Sequence, residues 1–268
     1  MPDFEKLEAG LLDTLAVLKD ALPEIVVVGG WCPYLYAHYL WKKPIPKIPT
    51  TTDIDFGVLE TGGRKFETTV YERLKSAGYD LERIYEDEET PVEFIYKKKS
   101  VKLKVEFITS FETSDDMRNK FLGSELACNR IEAFELLLKQ TVTVPIQVKN
   151  ESLNVKMPAP EIFCYHKAIT FVMRSAKFKR DKDLFYAYFI LKFHPNRESL
   201  VKVLAGMKKD EYFNAFRENI REYLSDPSSP GYLILRPFLR GWVEEGKIND
   251  EIQNTFSGVL SLIDNHGT

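Results

Sequence analysis

The stretch Thr51-Thr52-Asp53-Ile54-Asp55-Phe56 alternates acidic and large apolar side chains. In a β-strand successive side chains leave on opposite faces. Ile54 and Phe56 therefore face a core, and Asp53 and Asp55 share the other side. Two adjacent carboxylates repel one another unless water solvates them or a cation lies between them. The segment is thus either the solvated face of a strand or half of an oxygen-ligand site for a hard divalent ion, Mg²⁺ or Mn²⁺.

Two further segments bear on that choice. Ile25-Val26-Val27-Val28 is a short β-branched run that stops at Gly29-Gly30, with a helical pattern from Trp31 to Trp41 behind it. A glycine pair there makes a tight turn. It also lets backbone approach a phosphate at the helix N-terminus, where N–H groups are unpaired. Downstream, Glu106 interrupts the apolar strand pattern Val105-Glu106-Phe107-Ile108. It is either an edge-strand acid paired with Lys102 or Lys104, or a third carboxylate beside Asp53 and Asp55. Three such carboxylates are what two-metal phosphoryl transfer requires.

Composition removes several classes. Lys and Arg number 37 against 40 Asp and Glu, a net charge of −3, and 44% of the 268 residues are apolar. Disorder needs lower hydrophobicity and higher net charge, and a bulk polycation for coating nucleic acid is excluded. No apolar run approaches the length of a membrane span, so no membrane association is expected. The three cysteines, Cys32, Cys128 and Cys164, are odd in number and contain no CxxC pair, which argues against a zinc ribbon and a disulfide framework. A reducing cytoplasm is the expected location.

The chain has two textures. Before Pro158-Ala159-Pro160 helices and strands mix: a helix over about 3–21, strands at 25–28 and 53–59, a helix at 64–77, a strand pair at 92–97 and 102–108 turning near Ser100, and strands at 142–148 and 153–157. Gly62-Gly63 punctuates, and Ile131–Leu138 reads equally as strand or helix. After the proline segment the pattern is helical throughout, at about 161–177, 181–193, 197–207, 209–224, 230–244 and 248–264. The expected division is residues 1–157 and 158–268.

The order strand, Gly29-Gly30, helix, Asp53-x-Asp55 strand, then Glu106 on a later strand resembles the nucleotidyltransferase superfamily with the DNA polymerase β-like fold. Met157-Pro158-Ala159-Pro160-Glu161, His166-Lys167-Ala168, Arg174 and Lys179-Arg180-Asp181-Lys182-Asp183 are similar to the AbiEii-type toxins of that superfamily. The likeness covers roughly residues 24–192. It implies an α+β fold, in which a mixed-sheet catalytic lobe over 1–157 precedes an all-helical lobe. It also implies metal-dependent transfer of a nucleoside monophosphate from an NTP to an acceptor hydroxyl. The acceptor would be tRNA or another RNA, or a small molecule as in antibiotic nucleotidyltransferases, and a toxin would have an antitoxin protein as partner. Three departures stand out: 22 residues separate Gly30 from Asp53, Trp31 stands where many members carry Ser, and the third acid is Glu.

The resemblance assigns Asp53, Asp55 and Glu106 to metal, and Lys167 and Asp183 to the nucleotide side. Gly29, Gly30, Trp31 and Thr52 are expected at the phosphates, by backbone or hydroxyl, together with Lys167, Arg174 and Lys182. Read from the residues alone, the five bases between Arg174 and Lys182 bind phosphate or are a solvated helix end. Asp183 is a base or orienting group, or pairs with Arg180 or Lys179. His166 and His38 read as packing or surface residues. A non-catalytic nucleotide- or RNA-binding protein on the same scaffold is the reading from a different class.

Overall fold

The computed structural model describes residues 4–45, 51–59, 66–83, 92–98, 101–110, 113–126, 128–131 and 133–264. The expected Gly62-Gly63 and Ser100 turns lie outside the described residues. The chain divides into two compact units, Met1–Lys42 with Lys47–Pro158, and Lys43–Pro46 with Ala159–Thr268.

The first unit is α+β. Helix α1 (Phe4–Val17) buries Leu7, Leu11 and Leu15, a stripe of i, i+4 spacing. It approaches the sheet closely at Gly10, where a Cβ would stand 1.8 Å from Leu103 Cδ1. Strand β1 (Ile25–Val28) is buried along its whole length. The chain then turns through a 3₁₀ segment (Gly29–Trp31), a short helix α2 (Cys32–Leu35) and a π turn (Tyr36–Leu40). Strand β2 (Asp53–Val58) follows, with Ile54 and Phe56 buried and Asp53 and Asp55 half-buried. The alternation read from the sequence is therefore the pleat of this strand.

Helix α3 (Val70–Ser76) starts six residues later than its apolar pattern suggests. Thr69 and Glu72 form a reciprocal capping box there, which sets the start by satisfying the first backbone N–H groups. Strands β3 (Asp80–Arg83), β4 (Val92–Lys98) and β5 (Val101–Thr109) come next, then α4 (Asp115–Leu122) and β6 (Asn129–Arg130). The ambiguous 131–138 run is a helix, α5 (Phe134–Lys139), with Phe134, Leu136 and Leu137 buried. The sheet order is β1-β2-β5-β4-β3, with β6 also on β5. β2 runs parallel to β5 and antiparallel to β1, so the sheet is mixed. Phe56 stacks on Phe107 at 5.7 Å across the β2–β5 pair. Strands β7 (Thr141–Val148) and β8 (Glu151–Pro158) form a separate hairpin.

The second unit is helical in its described residues. Helices α6 (Pro160–Thr170) and α7 (Lys177–Phe193) are its centre. Ten of the eleven residues of α6 are buried, as is the whole run Leu184–Leu191 of α7, the signature of helices covered on every side. Around them lie α8 (Arg197–Gly206), α9 (Phe213–Leu224), α10 (Pro230–Leu239) and α11 (Ile248–Asp264). The helix expected over 161–177 divides: Phe171–Met173 is 3₁₀ and Arg174 is extended. α7 begins at Lys177 rather than 181.

Candidate active site

Asp53 and Asp55 lie on one face of β2. The β2–β5 register makes Asp55 the partner of Glu106 and Asp53 the partner of Lys104. Partnered residues in a parallel pair share a face, so the backbone brings three carboxylates and one ammonium to the same side of the sheet. Glu106 therefore stands on a strand beside Asp53 and Asp55, as the second of its two sequence readings requires.

The turn after β1 meets this face. Val28 is the register partner of Asp55, and the next residue, Gly29, has a φ of +70°. A Cβ at Gly29 would fall 1.8 Å from Asp55 Oδ2 and 2.8 Å from its Cγ. The carboxylate thus occupies the volume that any side chain at 29 would fill. Gly29 is required twice, for its left-handed backbone and as the seat of Asp55. Gly30 is buried beside it.

Asp53 is held locally. Its backbone N–H donates to Thr51 Oγ1 at 3.3 Å, and Thr52 Oγ1 donates to its Oδ1 at 3.3 Å. The Thr52 hydroxyl is therefore engaged with the carboxylate. Trp31 is 2% exposed, with its ring 5.8 Å from that of Tyr34 and 6.4 Å from that of Phe4. Its indole belongs to the core, which leaves its backbone as the part that could meet a phosphate.

Asp53, Asp55 and Glu106 offer only oxygen ligands, the donor chemistry of a hard divalent cation, and the register places them on one face. Among the described residues no three His, Cys, Asp or Glu side chains are gathered as a metal-binding group. The register places the three acids on one face, and their oxygen donors fit such an ion.

In the second unit, Lys167 Nζ and Arg174 Nε each donate to Asp183 at 2.9 Å, to Oδ1 and Oδ2 respectively. The side chains of Lys167 and Asp183 are 5% and 6% exposed, that of Arg174 29%. Burial pushes the Asp183 carboxyl up, and it is the strongest single influence. The charges and hydrogen bonds of Lys167 and Arg174 outweigh it and leave the group below its ordinary value. This differs from a lysine open to phosphate, and from Asp183 paired with Arg180 or Lys179. Those expectations took partners from one helix, whereas the pair joins α6 to α7.

Two more of the five bases are engaged locally. Lys177 and Arg180 both bond Asp181, at 2.7 and 3.3 Å. Lys182 Nζ lies over the Phe178 and Tyr186 rings, at 5.5 and 5.9 Å. His166 is 2% exposed, and neither of its ring nitrogens has a hydrogen-bond partner among the described residues. Burial first, then the charge of Lys167, lower its pKa to about 3, against an upward pull from Asp183 that exceeds the further lowering by Arg174. It packs as a neutral imidazole, in line with its sequence reading. His38 stacks on Tyr34 at 5.4 Å. The Gly29–Asp55 seat and both partners of Asp183 escaped sequence reasoning, because each is a contact between segments with no periodic signature.

The family model described as nucleotidyltransferase matches residues 11–205, a span that contains the glycine turn, all three acids and the Lys167–Asp183 pair. Among solved structures the chain is similar to an antigenic nucleotidyltransferase-like protein from Paracoccidioides brasiliensis, at 13% identity and a TM-score of 0.38, covering 78% of this chain and 89% of that one. No curated protein matches the chain.

Proposed function

This chain belongs to the nucleotidyltransferase family, and on that premise we propose that it moves a nucleoside monophosphate from an NTP to an acceptor hydroxyl, releasing pyrophosphate. The observation that carries this is the seating of Asp55 against Gly29, with Glu106 as its register partner and Asp53 two residues away on the same face. Residues 1–157 are proposed as the catalytic domain and 158–268 as a helical accessory domain.

Asp53, Asp55 and Glu106 would hold Mg²⁺ or Mn²⁺. Such an ion lowers the pKa of an attacking hydroxyl and offsets triphosphate charge. The chain's own groups supply the rest. Thr51 and Thr52 fix the position of Asp53. Gly29 keeps Asp55 at the turn, and the turn's N–H groups cradle phosphate oxygens. Glu106 accepts the proton of the acceptor hydroxyl. Lys167 and Arg174, bound to Asp183, orient the α6–α7 pair of the second unit.

The acceptor is proposed to be tRNA or another RNA, with an antitoxin protein as partner and the cytoplasm as location; the AbiEii-type motif order supports this. Among the described residues no helix is long and apolar enough to cross a membrane.

The test incubates the protein with each labelled NTP, Mg²⁺ and total tRNA. Transfer of label that is lost in Asp53→Asn and in Asp55→Asn supports the proposal. A second reading, a non-catalytic nucleotide binder, is favoured by the absence of a gathered three-acid cluster among the described residues. It predicts NTP binding that is indifferent to Mg²⁺ and to both substitutions, with no transfer.

A further inference from the structure

Helix α10 reads Pro-Gly-Tyr-Leu-Ile-Leu-Arg-Pro-Phe-Leu and carries a single charge, Arg236. One side of it is spent on the core, where Tyr232, Leu235 and Leu239 are at most 1% exposed. A second stripe, Pro230, Leu233, Ile234 and Pro237, follows i, i+3, i+4, i+7 and lines a groove of about 630 Å³ shared with the start of α7. A helix that is apolar all round is ordinarily covered all round. This one is not: Leu233 is 70% exposed, and Phe178, across the groove on α7, is 69% exposed.

The rim of the groove is positive. Lys177 and Arg180 line it beside Asp181, and the side chain of Lys177 is 79% exposed. Both cations stand in the opening turns of α7, a helix whose first turn has no acidic residue and whose Ala176 N-cap makes no side-chain bond. Cations at the positive end of a helix dipole work against helix stability. Asp181 bonds both, at 2.7 and 3.3 Å, and offsets one of the two charges, so the rim keeps one net positive charge for an acidic neighbour.

We propose that this groove docks an acidic amphipathic helix of another protein. Its apolar side chains, at i, i+3/i+4, i+7, lie along the α10 stripe between Leu233 and Phe178, and its Asp or Glu residues reach Lys177 and Arg180. Helical walls with no strand edge suit a helix laid in a groove, and a stripe that runs from Pro230 to Pro237 spans about 12 Å, or about two turns of a partner. Exposed Leu and Pro side chains favour protein over single-stranded RNA. RNA would ask for stacked rings along a continuous cationic track, and here the lining cations are Lys177 and Arg180, both bonded to Asp181.

The experiment selects peptides from a displayed library of random 16-residue sequences on the immobilised full-length chain, with counter-selection on Leu233→Asp. Leu233 is exposed, so the variant is expected to retain its thermal midpoint. Peptides specific for the unmodified protein should be net acidic with apolar residues at helical spacing. Synthesised, they should lose at least tenfold in affinity to Leu233→Asp and to Phe178→Ser, and about as much to Lys177→Glu/Arg180→Glu. Failure to enrich specific peptides overturns the proposal, as does enrichment of peptides without acidic residues. Binding of a labelled oligouridine that is lost in Leu233→Asp overturns it in favour of RNA.

Discussion

Position 29 admits no side chain while Asp55 keeps its place, because a Cβ there would lie 1.8 Å from Asp55 Oδ2 at a φ of +70°. Gly78 has a similar φ, +84°, with nothing within 4 Å of its Cβ position. The two separate backbone cost from site geometry. Gly29→Ala and Gly78→Ala should each lose about 1 kcal/mol of stability from the left-handed conformation alone, measured by urea denaturation. Only Gly29→Ala should abolish label transfer, since only there must Asp55 move. His166 offers a second test. Its pKa is about 3 in the fold and ordinarily 6.5, so between those values the unfolded chain binds more protons. Stability is therefore complete above pH 6.5 and falls as pH drops below it, with a slope of at most about 1.4 kcal/mol per unit. His166→Gln should flatten thermal midpoints measured from pH 7.5 to 5.

At the scale of elements, α6 and α7 are joined by a buried ion pair that hydrophobic packing does not require. Lys167→Met leaves Asp183 with Arg174 alone and should cost about 3 kcal/mol, the lower end for breaking a buried pair. Lys167→Met with Asp183→Leu should cost less than the two single changes added together, because no buried charge is stranded. Denaturation of the four proteins of that cycle measures the coupling. In the sheet, Phe107→Ala removes the ring stacked on Phe56 and should cost about 3–5 kcal/mol. Since β2 carries Asp53 and Asp55, label transfer should fall with it. The alternation of β2 was legible because a pleat imposes period two on any half-buried strand. The starts of α3 and α7 were not, because a capping box and an extended Arg174 override apolar periodicity.

For the whole molecule, the change of texture at Pro158-Ala159-Pro160 and the division into units fall within a residue or two of one another. The helical unit has its own core, built on Phe163, Tyr186, Phe189, Leu235 and Phe256, each at most 1% exposed. Residues 159–268 expressed alone should melt cooperatively by circular dichroism and keep the acid sensitivity that His166 confers. A broad, non-cooperative melt would show that this core depends on the rest of the chain. The net charge of −3 averages over acids on one face of the mixed sheet and cations in the first turns of α7.

The sequence by itself determined that β2 would present two acids on one face, that a glycine turn would follow a buried strand, and that the chain would become helical after residue 160. These are properties of local period and backbone freedom, carried by residues close in sequence. Only the tertiary structure decided that β5 lies parallel to β2 with Glu106 opposite Asp55, and that the Asp55 carboxylate fills the place of a side chain at Gly29. It alone decided that Lys167 is bound to Asp183. Each of these joins residues at least 16 positions apart, and such contacts are chosen by burial and charge balance in the folded chain, which leave no spacing to read in one dimension.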